Sequence, residues 1–237
     1  MADALRVPPA VKRGAARRTL QTAFTVAVWI GSLFLGAGRA DWPRGWISVG
    51  MYVIGMTAAW IIMQRANPEL MAERAKWRRK DTKGFDKVFL ATMLPLATVQ
   101  PFIAGLDAVR FRWSSLGFAW VYPGVTVFAL GMALVGWTLA VNRHAETTVR
   151  IQTDRGHAVV TWGPYRFVRH PMYAGAILMY VGTPLVWGSV AALGISGAII
   201  LLFVWRTVLE DRTLRRELPG YVEYAARTRF RLVPGLW

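Results

Sequence analysis

Five stretches of this chain contain no Asp, Glu, Lys or Arg: residues 19–38, 45–64, 88–106, 113–142 and 170–205. Each can fill the hydrocarbon core of a bilayer, which takes about 20 apolar residues as a helix. Lipid offers backbone groups no hydrogen bonds, so such stretches must be helical. The third carries Pro95 and Pro101, which a membrane helix tolerates but bends at. The last is the informative one. Its 36 residues would make a single helix of about 54 Å, far more than a bilayer core needs. Its middle reads GTPLVWGS (182–189), a natural breaker, and predicts a hairpin of two short helices over 170–205.

Charge counting tests the hairpin. With the N-terminus cytoplasmic, the inner segments 1–18, 65–87, 143–169 and 206–237 hold 25 of the 29 basic residues, leaving Arg39, Arg44, Arg110 and Arg112 outside. A single fifth span would carry the tail's seven basic residues to the wrong face, against the positive-inside rule. The expected architecture is therefore an all-α integral membrane protein. It has a basic N-terminus (1–18), four single spans within 19–142 with a connector at 65–87, and a region 143–237 holding the hairpin and a cytoplasmic helical tail. All three histidines and 11 of the 13 acids also fall on the inner side, so chemistry is expected there. The first apolar stretch is a full span in length and reads as an uncleaved helix rather than a signal peptide.

The net charge of +16 lies between apolar runs, which favours membrane topology over nucleic-acid binding. No cysteine is present, which excludes disulfides and thiolate chemistry. His144, His157 and His170 lack the compact spacing of a zinc site, so no metal is expected. No G-x-S-x-G elbow occurs, and the GAG at 36–38 follows a membrane helix rather than a strand. Segment 65–87 reads as an interfacial helix and loop meeting anionic lipid. The tail has helical composition up to Pro219-Gly220, then resumes.

Two clusters remain. GPYRFVRHPMYAG (163–175) crowds Arg166, Arg169 and His170 at the mouth of the last apolar run. Arg206 and Glu210, four apart with Asp211 adjacent, sit where that run ends. Residues four apart share a helix face, and ionisable groups at a membrane exit mark function more often than decoration. The bland readings are interfacial aromatics for Tyr165 and Tyr173, a helix start at His170-Pro171, and turn or close-packing glycines at Gly163 and Gly175.

Taken together, Gln152, GHAVVTWGPYRFVRHPMYAG (156–175) and WRTVLEDRTLRRELPGYVEYAARTRFRLVPG resemble the isoprenylcysteine carboxyl methyltransferase family. That family stands within a wider set of integral-membrane methyltransferases that includes phospholipid N-methyltransferases. The resemblance covers about the C-terminal 40% of the chain; the earlier spans match only in hydropathy. It implies an S-adenosylmethionine site contacted by Gln152, His157, Ala158, Val159, Val160, Tyr165, His170, Pro171, Tyr173 and Glu210. Arg206 would face the methyl acceptor, so Arg206 and Glu210 are the catalytic candidates. Glu210-Asp211 stands where relatives often carry two or more glutamates. Arg169 matches the motif, with either a lipid phosphate or the cofactor carboxylate as its expected partner.

The chemistry leans towards one acceptor class. A carboxylate is already ionised at neutral pH and needs no base, only an Arg to orient it bidentately. A phosphoethanolamine would need a base such as Glu210 or His170. The expected substrate is a lipophilic acceptor entering from the bilayer, a prenylcysteine-type carboxylate before a phospholipid amine or small thiol. Two readings of other classes stand beside this: an NADPH-dependent membrane reductase, and a binding or transport protein without chemistry. The first three spans offer little polar marking of a transport path.

Overall fold

The computed structural model describes residues 9–76 and 81–237. Part of the basic segment 1–18 and residues 77–80 of the connector therefore lie outside the described residues. Among those described, the regular structure is entirely helical: α1 Pro9–Ala37, α2 Pro43–Ala66, α3 Pro68–Arg74, α4 Gly84–Gly105, α5 Val121–Val141, α6 Pro171–Trp187, α7 Val190–Glu217 and α8 Tyr221–Arg227. Five segments are long and apolar enough to cross a membrane: Thr19–Ala37, Pro43–Ala66, Gly84–Arg110, Phe118–Val141 and Val190–Glu217. The 17 residues of α6 sit at the lower limit for a span. The α4 helix runs on through Pro95 and Pro101 and passes into a π-helical turn at Leu106–Arg110.

The break in the last apolar run falls at Gly188-Ser189. Gly188 has φ 78°, the left-handed conformation that closes a helix, and its N–H donates to Pro184 O at 2.9 Å. Ser189 then caps α7, its Oγ accepting from Ala192 N at 3.0 Å, a contact worth about 1 kcal/mol. Behind the cap, buried Asp107 accepts from Ser189 Oγ at 2.6 Å and Ala191 N at 3.1 Å, and from Ser114 through N and Oγ. A carboxylate at a helix N-terminus complements the dipole there, so Asp107 ties the hairpin turn to the end of α4.

The hairpin differs from expectation in one respect. Its second arm is not short: α7 has 28 residues and continues through Arg206, Glu210 and Asp211 to Glu217. The charge-free run ends at Trp205, but nothing there breaks a helix, since Arg, Leu and Glu are good helix formers. The first break is Leu218-Pro219-Gly220, after which α8 resumes. The other shifts are smaller. Helix α1 begins at Pro9, inside the basic N-terminal segment, and residues 113–117 of the fourth apolar interval stay outside its helix.

Helices α5 and α6 pack most closely. Gly124 and Gly131 of α5 face Gly182 and Gly175 of α6, running antiparallel. A Cβ on Gly131 would stand 2.5 Å from Gly175 O, and one on Gly182 would stand 2.6 Å from Gly124 O. Small residues allow this approach, which lipid-embedded helices use in place of hydrophobic drive.

The loops sort to two ends of the bundle. At one end, Lys83 N donates to Val149 O, Lys83 Nζ pairs with Glu217 at 2.7 Å, and Arg169 N donates to Phe230 O. The segments that charge counting groups on one face thus lie together. Helix α3 tucks in beside them with Leu70, Met71 and Ala72 buried, so it is more than a surface helix. At the opposite end Arg44 Nη1 donates to Leu116 O at 2.8 Å, and Leu116 N donates to Gly188 O.

Candidate active site

A cavity of about 450 Å³ opens at the connector end and runs into the bundle between α2, α4, α5, α6 and α7. Its inner part is apolar, walled by Tyr52, Met56, Phe89, Leu90, Met93, Val135, Met179 and Phe203. Its outer part is polar. There the structure brings together every residue singled out by motif position: Gln152, His157, Ala158, Val159, Val160, Tyr165, His170, Pro171, Tyr173, Arg206 and Glu210 all border it.

The polar wall is built by the 143–170 connector, which has little regular structure and is held by side chains instead. Arg150 is buried and binds Glu146 through Nε and Nη2 at 3.0 and 2.9 Å, Asp154 at 2.7 Å and Asp81 at 3.1 Å. Glu146, and after it Asp154, holds its guanidinium charged well above the ordinary range, against the opposing effect of burial. Gln152 donates through Nε2 to His144 O at 2.7 Å and accepts at Oε1 from Arg155 at 2.9 Å. The rings of His144 and His157 lie 4.8 Å apart. Burial, then the neighbouring His144, pushes the His157 pKa down to about 4, with Arg150 and Arg155 adding to the fall and Glu146 opposing it. The His157 ring is thus a neutral hydrogen-bonding group at neutral pH, and burial lowers the pKa of His144 as well. After the left-handed turn at Gly156, the backbone of Ala158, Val159 and Val160 forms no hydrogen bond among the described residues and presents a free edge to the cavity.

Helix α6 starts at Pro171 with His170 as its N-cap residue. His170 Nε2 is buried without a hydrogen-bond partner; Asp211 Oδ1, at 3.6 Å, lies beyond hydrogen-bond reach. Its ring stacks on Tyr173 at 5.6 Å and 10°. Tyr173 in turn donates a short hydrogen bond to Glu210 Oε2. Tyr165 receives a hydrogen bond from Asn142 Nδ2 at 2.5 Å and packs under Tyr221 and Tyr224 of α8, whose Tyr224 Oη donates to Tyr165 O at 2.8 Å. The tail thereby roofs the polar chamber.

Arg206 stands at the junction of the two chambers, 6% exposed. Its guanidinium lies between the rings of Phe89 and Tyr173, 4.3 and 4.9 Å from their centroids. Its Nη2 lies 2.8 Å from Asp86 Oδ1 and donates to Thr147 O at 3.1 Å. Sequence reasoning missed Asp86, which sits within the first turn of α4; its only signal was an acid just ahead of an apolar run. Of the three guanidinium nitrogens of Arg206 only Nη2 is engaged by the chain itself, through Asp86 and Thr147 O. The Asp86 carboxylate offsets the charge of the guanidinium from that side.

Asp211 and Arg169 engage each other, and the guanidinium of Arg169 is taken up by groups of the chain itself. It binds Asp211 and donates through Nη1 to Thr228 O and Arg229 O. Asp211 further accepts from Arg215, Tyr221 and Arg231. It is the staple joining α7, the RHP turn and the tail, so it does not duplicate the Glu210 carboxylate. Among the described residues no group of three or more His, Cys, Asp or Glu could hold a metal ion.

Comparison with known proteins finds relatives over the region that holds most of these residues. Residues 120–218 match the family model described as phospholipid methyltransferase. The chain is 32% identical over 129 residues to the cobalt-zinc-cadmium resistance protein CzcN of Cupriavidus metallidurans, covering 53% of this chain and 56% of that protein. It is 29% identical over 107 residues to protein-S-isoprenylcysteine O-methyltransferase B of Arabidopsis thaliana, covering 44% and 54%. It is also 29% identical over 112 residues to the nickel-cobalt-cadmium resistance protein NccN of Alcaligenes xylosoxydans xylosoxydans, covering 46% and 52%. The chain thus spans a little over half the length of these relatives.

Proposed function

We propose, from the premise that the C-terminal region belongs with the isoprenylcysteine and phospholipid methyltransferases, that this chain is an integral-membrane methyltransferase using S-adenosylmethionine. The observation that carries the reading is a single cavity with a polar mouth and an apolar interior, with Arg206 and Glu210 at the junction. Its volume lies in the range of small-molecule sites. The buried, unpartnered His170 Nε2 and the free backbone edge at 158–160 are groups that a polar ligand would satisfy.

The residues fit that cofactor. Gln152, the His157–Val160 run and Tyr165 offer amide, backbone and aromatic surfaces for a nucleoside. His170, Tyr173 and Glu210 offer hydrogen bonds and a negative charge for a cationic amino acid tail, and Pro171 starts the helix that aims them. When bound, S-adenosylmethionine supplies an electrophilic methyl group on sulfur. The chain's own contribution is positioning and exclusion of water, which in a displacement of this kind supplies most of the acceleration. Tyr173 fixes Glu210, and the α8 roof shields the chamber.

The acceptor is lipophilic in this reading, its tail lying among Met56, Phe89, Met93 and Phe203. A prenylcysteine-type carboxylate fits best, supported by the name of the Arabidopsis relative. It needs no proton removed, and Arg206 lies where its oxygen would arrive. The connector end and both termini are cytoplasmic in this reading, supported by the 25 basic residues on that side.

The test is direct. Purified protein in detergent should melt at a higher temperature with S-adenosylmethionine and not with NADPH. Membranes given methyl-labelled cofactor should pass label to a lipid or prenyl-peptide fraction. A melting rise with NADPH alone would point to a reductase instead.

A further inference from the structure

We infer that the outward side of the 143–170 connector is a lipid-headgroup site, where Arg143 and Arg166 take the phosphate of an acidic phospholipid beside Trp137, Trp162 and Phe167. This goes beyond methyl transfer and needs only the membrane spans.

The charged residues of GPYRFVRHPMYAG part company in the fold. Arg169 and His170 are buried, while Arg166 is exposed. The 3₁₀ turn Gly163–Arg166 explains the split. With three residues per turn, neighbours point to different sides, so Tyr165 borders the cavity and Arg166 looks outward. The turn is seated on the end of α5. Gly163 has φ 62°, and a Cβ there would stand 3.2 Å from Trp137 Nε1 and from Val141 Cγ1. The rings of Trp137 and Phe167 lie 6.4 Å apart.

That seat is at the membrane boundary. Val141 is the last residue of the apolar segment Phe118–Val141, and Trp137 lies about 6 Å deeper at 1.5 Å per residue. Trp137 also shares a helix face with Leu130, seven residues earlier and 60% exposed, so the patch continues a surface that α5 turns to lipid. Trp137, Trp162 and Phe167 are 47%, 58% and 58% exposed, and rings of this kind gather at headgroup level.

The charges point the same way. Of the connector's five arginines, Arg150, Arg155 and Arg169 pair with carboxylates of the chain. Arg143 and Arg166, both exposed, have no ion pair among the described residues; Arg143 only donates Nε to His144 Nε2 at 3.2 Å. Arg143 stands two residues beyond Val141, at the same level. A guanidinium without a carboxylate, beside uncovered aromatic rings, suits a phosphate, which it meets with two N–H groups. Acidic leaflets attract such residues.

The chain has no cysteine, so single sites can be labelled cleanly. Full-length Trp162→Cys and Phe167→Cys, spin-labelled in vesicles of phosphatidylcholine and phosphatidylglycerol, should collide more with oxygen than with a water-soluble nickel chelate. A label at Glu223→Cys, on exposed α8 surface, should show the reverse. In detergent, phosphatidylglycerol should raise the melting temperature of the wild type more than phosphatidylcholine does. Arg143→Gln with Arg166→Gln should lose that difference. Arg212→Gln with Arg216→Gln, an exposed basic pair on α7, should keep it, and glycerol phosphate should not reproduce it. Labels at 162 and 167 as open to the chelate as the one at 223 overturn the inference; that is the result if a protein partner covers the patch instead. So does an Arg143 and Arg166 variant that keeps the difference, a control pair that loses it equally, or a full rise with glycerol phosphate.

Discussion

Arg169 and Asp211 form a buried two-point ion pair across the base of the hairpin. Nε meets Oδ1 at 2.7 Å and Nη2 meets Oδ2 at 3.2 Å, with both side chains at most 2% exposed. The pair joins the turn before α6 to α7, and through Tyr221 and Arg231 it fastens the tail that roofs the cavity.

Removing one partner of such a pair leaves the other as an uncompensated buried charge, which costs about 3–5 kcal/mol. Asp211→Ala should lower thermal stability by that order and weaken cofactor binding by loosening the roof. In a double-mutant cycle, Arg169→Ala with Asp211→Ala should be far less destabilising than the sum of the singles. Additive losses would show that the two act independently.

Glu210 and Arg206 share the junction but should fail differently. Glu210→Gln and His170→Ala are expected to weaken S-adenosylmethionine binding by roughly tenfold or more, the scale of a lost charge-assisted hydrogen bond. Arg206→Ala should leave cofactor binding intact and remove turnover. Calorimetric titration beside a turnover assay separates the two, and a fully active Arg206→Ala would sink its acceptor role.

The glycine seam between α5 and α6 sets how closely those two helices approach. Gly131→Ala would place Cβ 2.5 Å from Gly175 O, and Gly175→Ala would place it 2.7 Å from Gly131 O. Backbone cannot yield as a flexible side chain can, so each should cost about 1–3 kcal/mol. Gly50→Ala, where nothing lies within 4 Å, is the control. Melting temperatures in one detergent compare all three.

Stability should fall on mild acidification because of His157. Its folded pKa of about 4 lies below the ordinary value near 6.5. The unfolded chain therefore binds the proton first, and the stability present above pH ~6.5 is lost as pH falls from there towards 4. At ~1.4 kcal/mol per unit the loss is about 3 kcal/mol at most. Melting temperature measured from pH 7.5 to 5 should drop in the wild type and drop less in His157→Gln. Parallel curves would assign the effect to other groups.

Much of this protein is legible without coordinates. The length and spacing of apolar runs fix the helices, since lipid leaves the backbone no alternative, and a 36-residue run holding GTPLVWGS must turn. The residues that the family resemblance implies for a cofactor site also border the polar chamber, because they lie in or near two short, dense motifs. Asp86 was not legible: an acid ahead of an apolar helix looks the same whether it faces water or an arginine. The partners of Asp211 were not legible for a related reason, since adjacent carboxylates on α7 point to different partners and the sequence records only their adjacency.

The division has a physical cause. Hydrophobic periodicity and chain-breaking residues act locally, so the sequence by itself determines the spans, the hairpin and the end of the bundle where charge gathers. Ion pairs such as Asp86–Arg206 and Arg169–Asp211 join residues far apart in the chain and leave no periodic trace. Only the tertiary structure decides that Arg206 meets a carboxylate of the chain itself, because packing α4 against α7 brings Asp86 to within 2.8 Å of its Nη2.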